Sequence, residues 1–372
     1  MIIKNPLKLN RILAGFSPGK TGITSDPSTL MENANMKAVA YYQNLPIEHP
    51  ESLQDVQLPE PVIGEHDLLV EVKAVSVNPV DAKVRAGAAP EAGQAKVLGW
   101  DAAGVVRSVG GKVSLFQPGD KVWYAGALHR PGANSELHAV DERIVGRMPH
   151  SLDFEQAAAL PLTAITAWEL LFDRLQVLDN RAPSGRSLLV VGAAGGVGSI
   201  LVQLARQLTG LTVIGTASRP ETQAWVKELG AHHVIDHRLP LSEELKRIGY
   251  AQVDYVASLN QTDAHFKEIA AAIAPQGKLA LIDDPAALDV RELKRKSVSL
   301  HWEFMYTRSL FGTDDQIQQH LLLNRLAELV DAGLVRSTVA ERFGRVDAAN
   351  LKRAHALLES NRAKGKIVLS GF

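Results

Sequence analysis

Hydrophobic and polar positions follow two different patterns along this chain, and the change falls near residue 150. From Met36 to about Pro149 the apolar positions come in short runs broken by turn residues. The run Leu68–Val77 (LLVEVKAVSV) alternates largely apolar with polar positions and is rich in valine, which predicts a half-buried strand. Ala102–Val109 and Lys121–Ala125 read as further strands, with Pro118-Gly119-Asp120 as the turn between them. This part is expected to be a β-rich barrel or sandwich. At Ser151 the period lengthens. Ser151-Leu152-Asp153-Phe154-Glu155 opens a helix, and Pro161 separates it from a second over Thr163–Phe172.

Strands and helices then alternate. Strands are expected at Ser187–Val191, Leu211–Thr216, His233–Ile235, Val253–Ser258 and Lys278–Ile282, with helices at Val197–Leu208, Glu221–Leu229 and Asp263–Ala274 between them. Parallel strands joined by helices of this length predict a doubly wound sheet, so the fold class is α/β. A last strand at Ser297–Glu303, two long helical patterns and a strand at Lys366–Leu369 complete the chain. The expected organisation is a β-rich domain over 36–160, a nucleotide-type domain over 161–309, and a return to the first over 310–372. Residues 1–35 hold Pro6, Pro18 and Pro27 without sustained periodicity and are expected to be an irregular leader, because Met36 directly precedes the first strand-like run.

Composition narrows the function. The 372 residues carry a net charge of −1, which gives nucleic acid or an acidic membrane no general electrostatic footprint. No segment approaches the roughly 18 uninterrupted apolar residues of a membrane span, and a cytoplasmic location is expected. There are no cysteines, which excludes disulfides, thiolate catalysis and any zinc site built on sulfur.

The strongest chemical signal is Leu188-Leu-Val-Val-Gly192-Ala-Ala-Gly195-Gly196-Val197-Gly198, an apolar strand running into glycines from which an amphipathic helix leaves. Gly195 and Gly196 lack the β-carbons that would hold a pyrophosphate away, Gly198 permits close packing of helix on sheet, and the helix N-terminus offers free amides to phosphate. Ala193 stands where the usual motif has its first glycine. The end of the next strand reads the cofactor's ribose. Thr216-Ala217-Ser218-Arg219-Pro220-Glu221 offers no acid there for a ribose 2′-hydroxyl. Arg219, at the N-cap of a helix whose first residue is Pro220, is a poor cap that a 2′-phosphate would turn into a charge-assisted contact. NADPH is therefore the expected cofactor, with Ser218 and Arg219 on its 2′-phosphate.

Five segments make the resemblance specific: Val77-Asn78-Pro79-Val80-Asp81, Leu98-Gly99-Trp100-Asp101-Ala-Ala-Gly104, Leu160-Pro161-Leu-Thr163-Ala-Ile-Thr166-Ala, the glycine turn, and Gly365-Lys366-Ile-Val-Leu. From Met36 to Phe372 the chain resembles the medium-chain dehydrogenase/reductase superfamily in its quinone-oxidoreductase branch. More closely, it is similar to proteins called zinc-type alcohol-dehydrogenase-like although they lack the metal ligands. The resemblance implies a GroES-like substrate domain, a Rossmann domain, and hydride transfer from NADPH to a quinone or an α,β-unsaturated carbonyl. It also implies cofactor contacts at Thr163, Val197, His237, Asn260 and Lys366, and a homodimer through the strand Ser297–Glu303.

Zinc-dependent relatives carry a catalytic Cys in the region of Asn78 and a Gly-His-Glu where this chain has Gly99-Trp100-Asp101. No metal is expected, since His232, His233 and His237 lie on or just after a Rossmann strand and read as structural or cofactor contacts. Asn78 and Asp81 align with polar residues of the nicotinamide and substrate cleft, although Asn-Pro-Val-Asp is equally good turn and helix-cap chemistry. Tyr42, Tyr124 and His129 are further candidates for a proton donor. Two rival functions remain at this point: a true zinc-type alcohol dehydrogenase, and a non-catalytic NADPH-binding protein.

Overall fold

The computed structural model describes residues 35–372, so nearly all of the expected leader lies outside the described residues. The chain forms two compact units. One comprises residues 35–161 together with 308–324 and 341–372, the other 162–307 and 325–340. The C-terminal return is thus made in two pieces. Residues 325–340 belong to the second unit, and the boundary at 324/325 falls inside one continuous helix, Gln318–Asp331. An amphipathic pattern carries no mark of which unit each of its turns packs against.

The first unit is built on antiparallel pairing. A three-stranded sheet holds Gln54–Pro59, Asn35–Tyr41 and Lys96–Val97, and a seven-stranded sheet is centred on Asp67–Val77. That central strand pairs along one edge with Ala102–Val109. Along the other it pairs first with Leu137–Asp141 and then, from Ala74 to Val77, with the final strand Lys366–Ser370. The expected half-buried alternation is found only in its middle: Glu71 is exposed and Lys73 half-buried, while the other nine residues are buried. Ser76 is buried at no cost in hydrogen bonding because its hydroxyl donates to the carbonyl of Ile367 at 2.9 Å. Directly after the strand, Pro79 opens the helix Pro79–Gly87 at its first position, where its missing N–H is harmless.

The second unit holds one parallel six-stranded sheet. Its strands are β1 (Ser187–Val191), β2 (Thr212–Thr216), β3 (His233–Ile235), β4 (Val253–Ser258), β5 (Ile273–Leu281) and β6 (Ser299–Trp302). They lie in the order 3-2-1-4-5-6, the doubly wound dinucleotide-binding arrangement, in which the order reverses between β1 and β4. The helices α1 (Gly196–Leu208), α2 (Pro220–Glu228), α3 (Leu241–Arg247) and α4 (Thr262–Ala272) connect them. All five residues of β1 are buried, as a strand covered on both faces requires. Leu189, Ile214, Val256, Phe266 and Leu279 form one side of the core, and each such side chain contributes about 1.5–3 kcal/mol by leaving water. The helix expected at Thr163–Phe172 begins earlier and ends differently. It is α-helical over Pro161–Trp168 and then widens into a π-turn over Glu169–Arg174. There Glu169 and Glu303 are buried against each other, and Arg174 donates to Glu303 at 2.8 Å. Burial and the neighbouring Glu169 carboxyl push Glu303 well above the ordinary carboxylate range, so the pair retains a proton.

Candidate functional site

In the nucleotide unit, β1 is followed by Gly192, whose φ of +84° is open to glycine and strained for other residues. The Gly195 N–H closes the turn on the Gly192 carbonyl at 3.2 Å, and Gly195 is the N-cap of α1. Gly195 and Gly198 differ in what they do. A Cβ on Gly198 would stand 2.5 Å from the Gly192 oxygen and 2.6 Å from Ala193 Cα, so the helix lies on the turn's own backbone there. A Cβ on Gly195 would meet nothing nearer than that oxygen at 3.5 Å, and Gly195 has an ordinary φ of −74°. Neither packing nor backbone conformation demands glycine at 195. What it leaves is an open cradle beside the free amides of Gly196 and Val197 at a helix N-terminus, which fits a pyrophosphate.

The other expected cofactor residues of this unit fall around the same end of the sheet. Thr216, which sequence reasoning did not single out, closes β2 and accepts a hydrogen bond from the Gly192 N–H at 3.0 Å. Ser218 follows it, half-buried, and Arg219 is the N-cap of α2 with Pro220 at the first helical position. The Arg219 guanidinium rests 3.1 Å from Glu221. The Ala217 N–H donates to Ile235 at 3.0 Å, which sets Ser218-Arg219 beside Asp236-His237 at the end of β3. Asn260 leaves β4 across the switch point, its Cβ 3.6 Å from where a Cβ on Gly192 would lie. Thr163 is buried in the helix Pro161–Trp168.

In the first unit, Asn78, Asp81 and Lys366 come together around Asp101, and all four are buried. Asp81 is the third residue of its helix. One carboxylate oxygen accepts from the Asn78 N–H at 2.7 Å and the other from the Gly99 N–H at 2.9 Å. The Asn78 amide donates to Asp101 at 2.8 Å and to the Trp100 carbonyl at 3.3 Å, while its oxygen accepts from Lys366 at 2.5 Å. The Lys366 ammonium also donates to the Val77 carbonyl at 2.8 Å and pairs with Asp101 at 3.0 Å. Lys366, expected on the cofactor, thus has its charge inside the unit. The signal for it was indirect, because nothing local to Gly365-Lys366 points to an acid 265 residues earlier. Burial pushes Asp81 up to about 7, against the two backbone hydrogen bonds and the charge of Lys366. Burial likewise lowers Lys366, and Asp101 opposes it.

Tyr124, one of the three proton-donor candidates, is wholly buried against His138, a residue the sequence did not flag. His138 Nε2 lies 2.9 Å from the Pro131 carbonyl, so the ring donates there and its Nδ1 accepts from the Tyr124 hydroxyl at 3.1 Å. Burial lowers His138 to about 4, keeping it neutral. Tyr42 and His129 remain at the surface.

A sheet of this order with a glycine cradle at its switch point defines a dinucleotide-binding oxidoreductase fold. Comparisons with known proteins agree. Residues 64–149 match the alcohol dehydrogenase GroES-like domain and residues 229–369 the zinc-binding dehydrogenase family. A zinc-type alcohol dehydrogenase-like protein of Staphylococcus epidermidis is 38% identical over 339 residues, 90% of this chain and 99% of its own. A Rhizobium etli CFN 42 structure, provisionally named a zinc-dependent alcohol dehydrogenase, is 56% identical with a TM-score of 0.88, covering 91% of this chain and 99% of its own. The Escherichia coli quinone oxidoreductase complexed with NADPH is 25% identical with a TM-score of 0.75, covering 90% and 100%. The chain belongs to the medium-chain dehydrogenase/reductase superfamily, in its quinone-oxidoreductase-like branch, and is an NAD(P)H-type oxidoreductase.

The family name implies zinc, and the residues present do not fit it. The chain has no cysteine, and among the described residues no group of three or more metal-ligating side chains converges. Where the zinc relatives carry ligands, Asn78 and Asp101 are tied to the Lys366 ammonium, and the Trp100 indole donates to the Ala127 carbonyl at 3.3 Å. A cation is already built into the polypeptide there.

Proposed function

We propose that this protein transfers hydride from NADPH to a quinone or an α,β-unsaturated carbonyl, with no metal taking part. The observation that carries the reading is the open cradle at Gly195, which the protein's own packing does not require. In this reading the amides of Gly196 and Val197 hold the pyrophosphate, Ser218 and Arg219 hold the 2′-phosphate, and Thr163 and Asn260 are further cofactor contacts. NADPH, when bound, supplies the hydride. Asn78 and Asp81 act by position, since their polar atoms are taken up by Asp101, Lys366, Gly99 and the helix terminus. Without a Lewis acid the protein can do little for a localised alkoxide, so acceptors that spread charge by conjugation need less help.

One preparation tests both halves of this reading. Supplied with 1,2-naphthoquinone, an alkenal, and a primary alcohol with the matching cofactor form, it should turn over the first two and leave the alcohol. Faster turnover of the alcohol overturns the metal-free assignment, and silence on all three with NADPH bound favours the non-catalytic alternative. Arg219→Ala should weaken NADPH by about 1.5–3 kcal/mol while sparing NADH. Equal losses on both cofactors would make Arg219 an ordinary surface residue.

The same family reading makes the protein a homodimer through β6. This strand closes one edge of the sheet with Ser299 and Trp302 exposed, Trp302 at 55%. An edge of that kind is a template for pairing with a second copy. Light scattering at micromolar concentration should return twice the 40.2 kDa chain mass, and a monomer would end the idea. No helix among the described residues is long and apolar enough to cross a membrane.

A further inference from the structure

Two imidazoles meet near the C-terminal ends of β3 and β4 in the nucleotide unit. His237 follows β3 and His265 is the fourth residue of α4, and their ring centroids lie 6.0 Å apart, edge to face. His237 Nδ1 is buried and has no hydrogen-bond partner among the described residues. A buried N–H without an acceptor, or a buried charge, is costly there, so the proton of neutral His237 belongs on Nε2. His265 has no such constraint.

The carboxylates nearby already have partners. Asp236 is held by Arg238 at 2.6 Å, and Glu244, which accepts from the Asp236 N–H, is paired with Arg247 at 2.8 Å. Asp263 accepts from the Ala286 N–H at 3.0 Å, and Asp283 accepts from Thr262 N and Oγ1 at 2.8 and 2.5 Å. The charges facing His237 are His265, Asp236 and Arg238, and the charge facing His265 is Asp283. Burial lowers both imidazoles below their usual value. His265 depresses His237 further, whereas Asp283 pulls His265 back up. Both shifts favour the neutral imidazole in the free protein.

We propose that the pair reads the cofactor's 2′-phosphate with divided labour: His237 donates from neutral Nε2, and His265 takes up a proton from solvent as the phosphate arrives. This rests on the cofactor reading above, in which Ser218 and Arg219 emerge beside His237. A phosphate dianion raises the affinity of His265 for a proton, and the imidazolium so formed returns a charge-assisted hydrogen bond. Because the bound-state value lies above the free-state value, the gain for NADPH is present at low pH and is lost as pH rises through the bound-state value. NADH carries no phosphate at that position and gains nothing. NADPH binding should accordingly take up protons and NADH binding should not.

Calorimetric titration of the full chain at pH 7, in buffers of different ionisation enthalpy, counts those protons. The wild type should take up roughly half a proton or more with NADPH and close to none with NADH. His265→Gln should lose most of that uptake and several-fold of its NADPH affinity, with NADH affinity unchanged. His237→Gln should lose NADPH affinity while keeping the uptake. Preference for NADPH with the same proton count for both cofactors overturns the proposal and leaves the cofactor reading standing. Equal affinity for NADPH and NADH overturns the cofactor reading, and this one with it. The wild-type comparison needs no variant to fold.

Discussion

Lys366→Met should cost about 3–5 kcal/mol of stability, because it leaves Asp101 buried without its cation and Asn78 without its donor. That is a large part of the 5–15 kcal/mol that a folded domain has to lose. Adding Asp101→Asn should recover much of the loss, since an amide tolerates burial where an uncompensated carboxylate does not. The loss should also depend on pH. Asp81 titrates at about 7 in the fold against 3.8 when free, so its contribution is greatest at low pH and falls as pH rises through 7. Removing Lys366 takes away the charge that helps keep Asp81 ionised, and the variant should be weakest relative to wild type near pH 8.5. Denaturant midpoints at pH 6 and 8.5 measure this. A variant within about 1 kcal/mol of wild type at both would mean that the cluster holds little of the unit together.

Gly195→Ala and Gly198→Ala should separate binding from folding. At position 198 the new methyl meets backbone atoms at 2.5 and 2.6 Å, which cannot swing aside as a side chain can. The turn must open, with a loss of about 1–3 kcal/mol of stability and cofactor affinity falling with it. At position 195 the methyl has room within the protein, so the melting temperature should hold while NADPH binding drops tenfold or more, about 1.4 kcal/mol. Paired melting curves and cofactor titrations give the answer. Gly195→Ala binding NADPH within twofold of wild type would remove the pyrophosphate from this cradle.

The nucleotide unit was legible in the sequence because its signals are local. β1, β3 and β4 have the boundaries that the apolar runs predict, and α1 starts one residue early, at Gly196. Helix α3 went unread even though Leu241, Leu245 and Ile248 keep helical spacing, because Glu243, Glu244, Lys246 and Arg247 crowd a segment of seven residues. The π-turn has no composition of its own to announce it. The strand Val339–Arg342 was missed because none of its four residues is buried, so no alternation marks it. At the candidate site, the resemblance singled out Asn78 and Asp81, and their rival reading as helix-cap residues was legible because capping is a matter of neighbours three residues apart. Asp101, His138 and His265 work with partners from other elements, and the pairing of Lys366 with Asp101 exists only after the fold has formed.

The late position of the strand Lys366–Ser370 matters while the chain is being made. Val77 leaves the ribosome 289 residues before the ammonium that will bond its carbonyl, about 15–60 s at ordinary rates of synthesis. Through that interval the central strand has an open edge from Ala74 to Val77, and Asp101 has no cation to face. The first unit must therefore wait, incomplete and prone to wrong pairing, until residues 366–370 have been made. The strand Lys366–Ser370 acts as its latch.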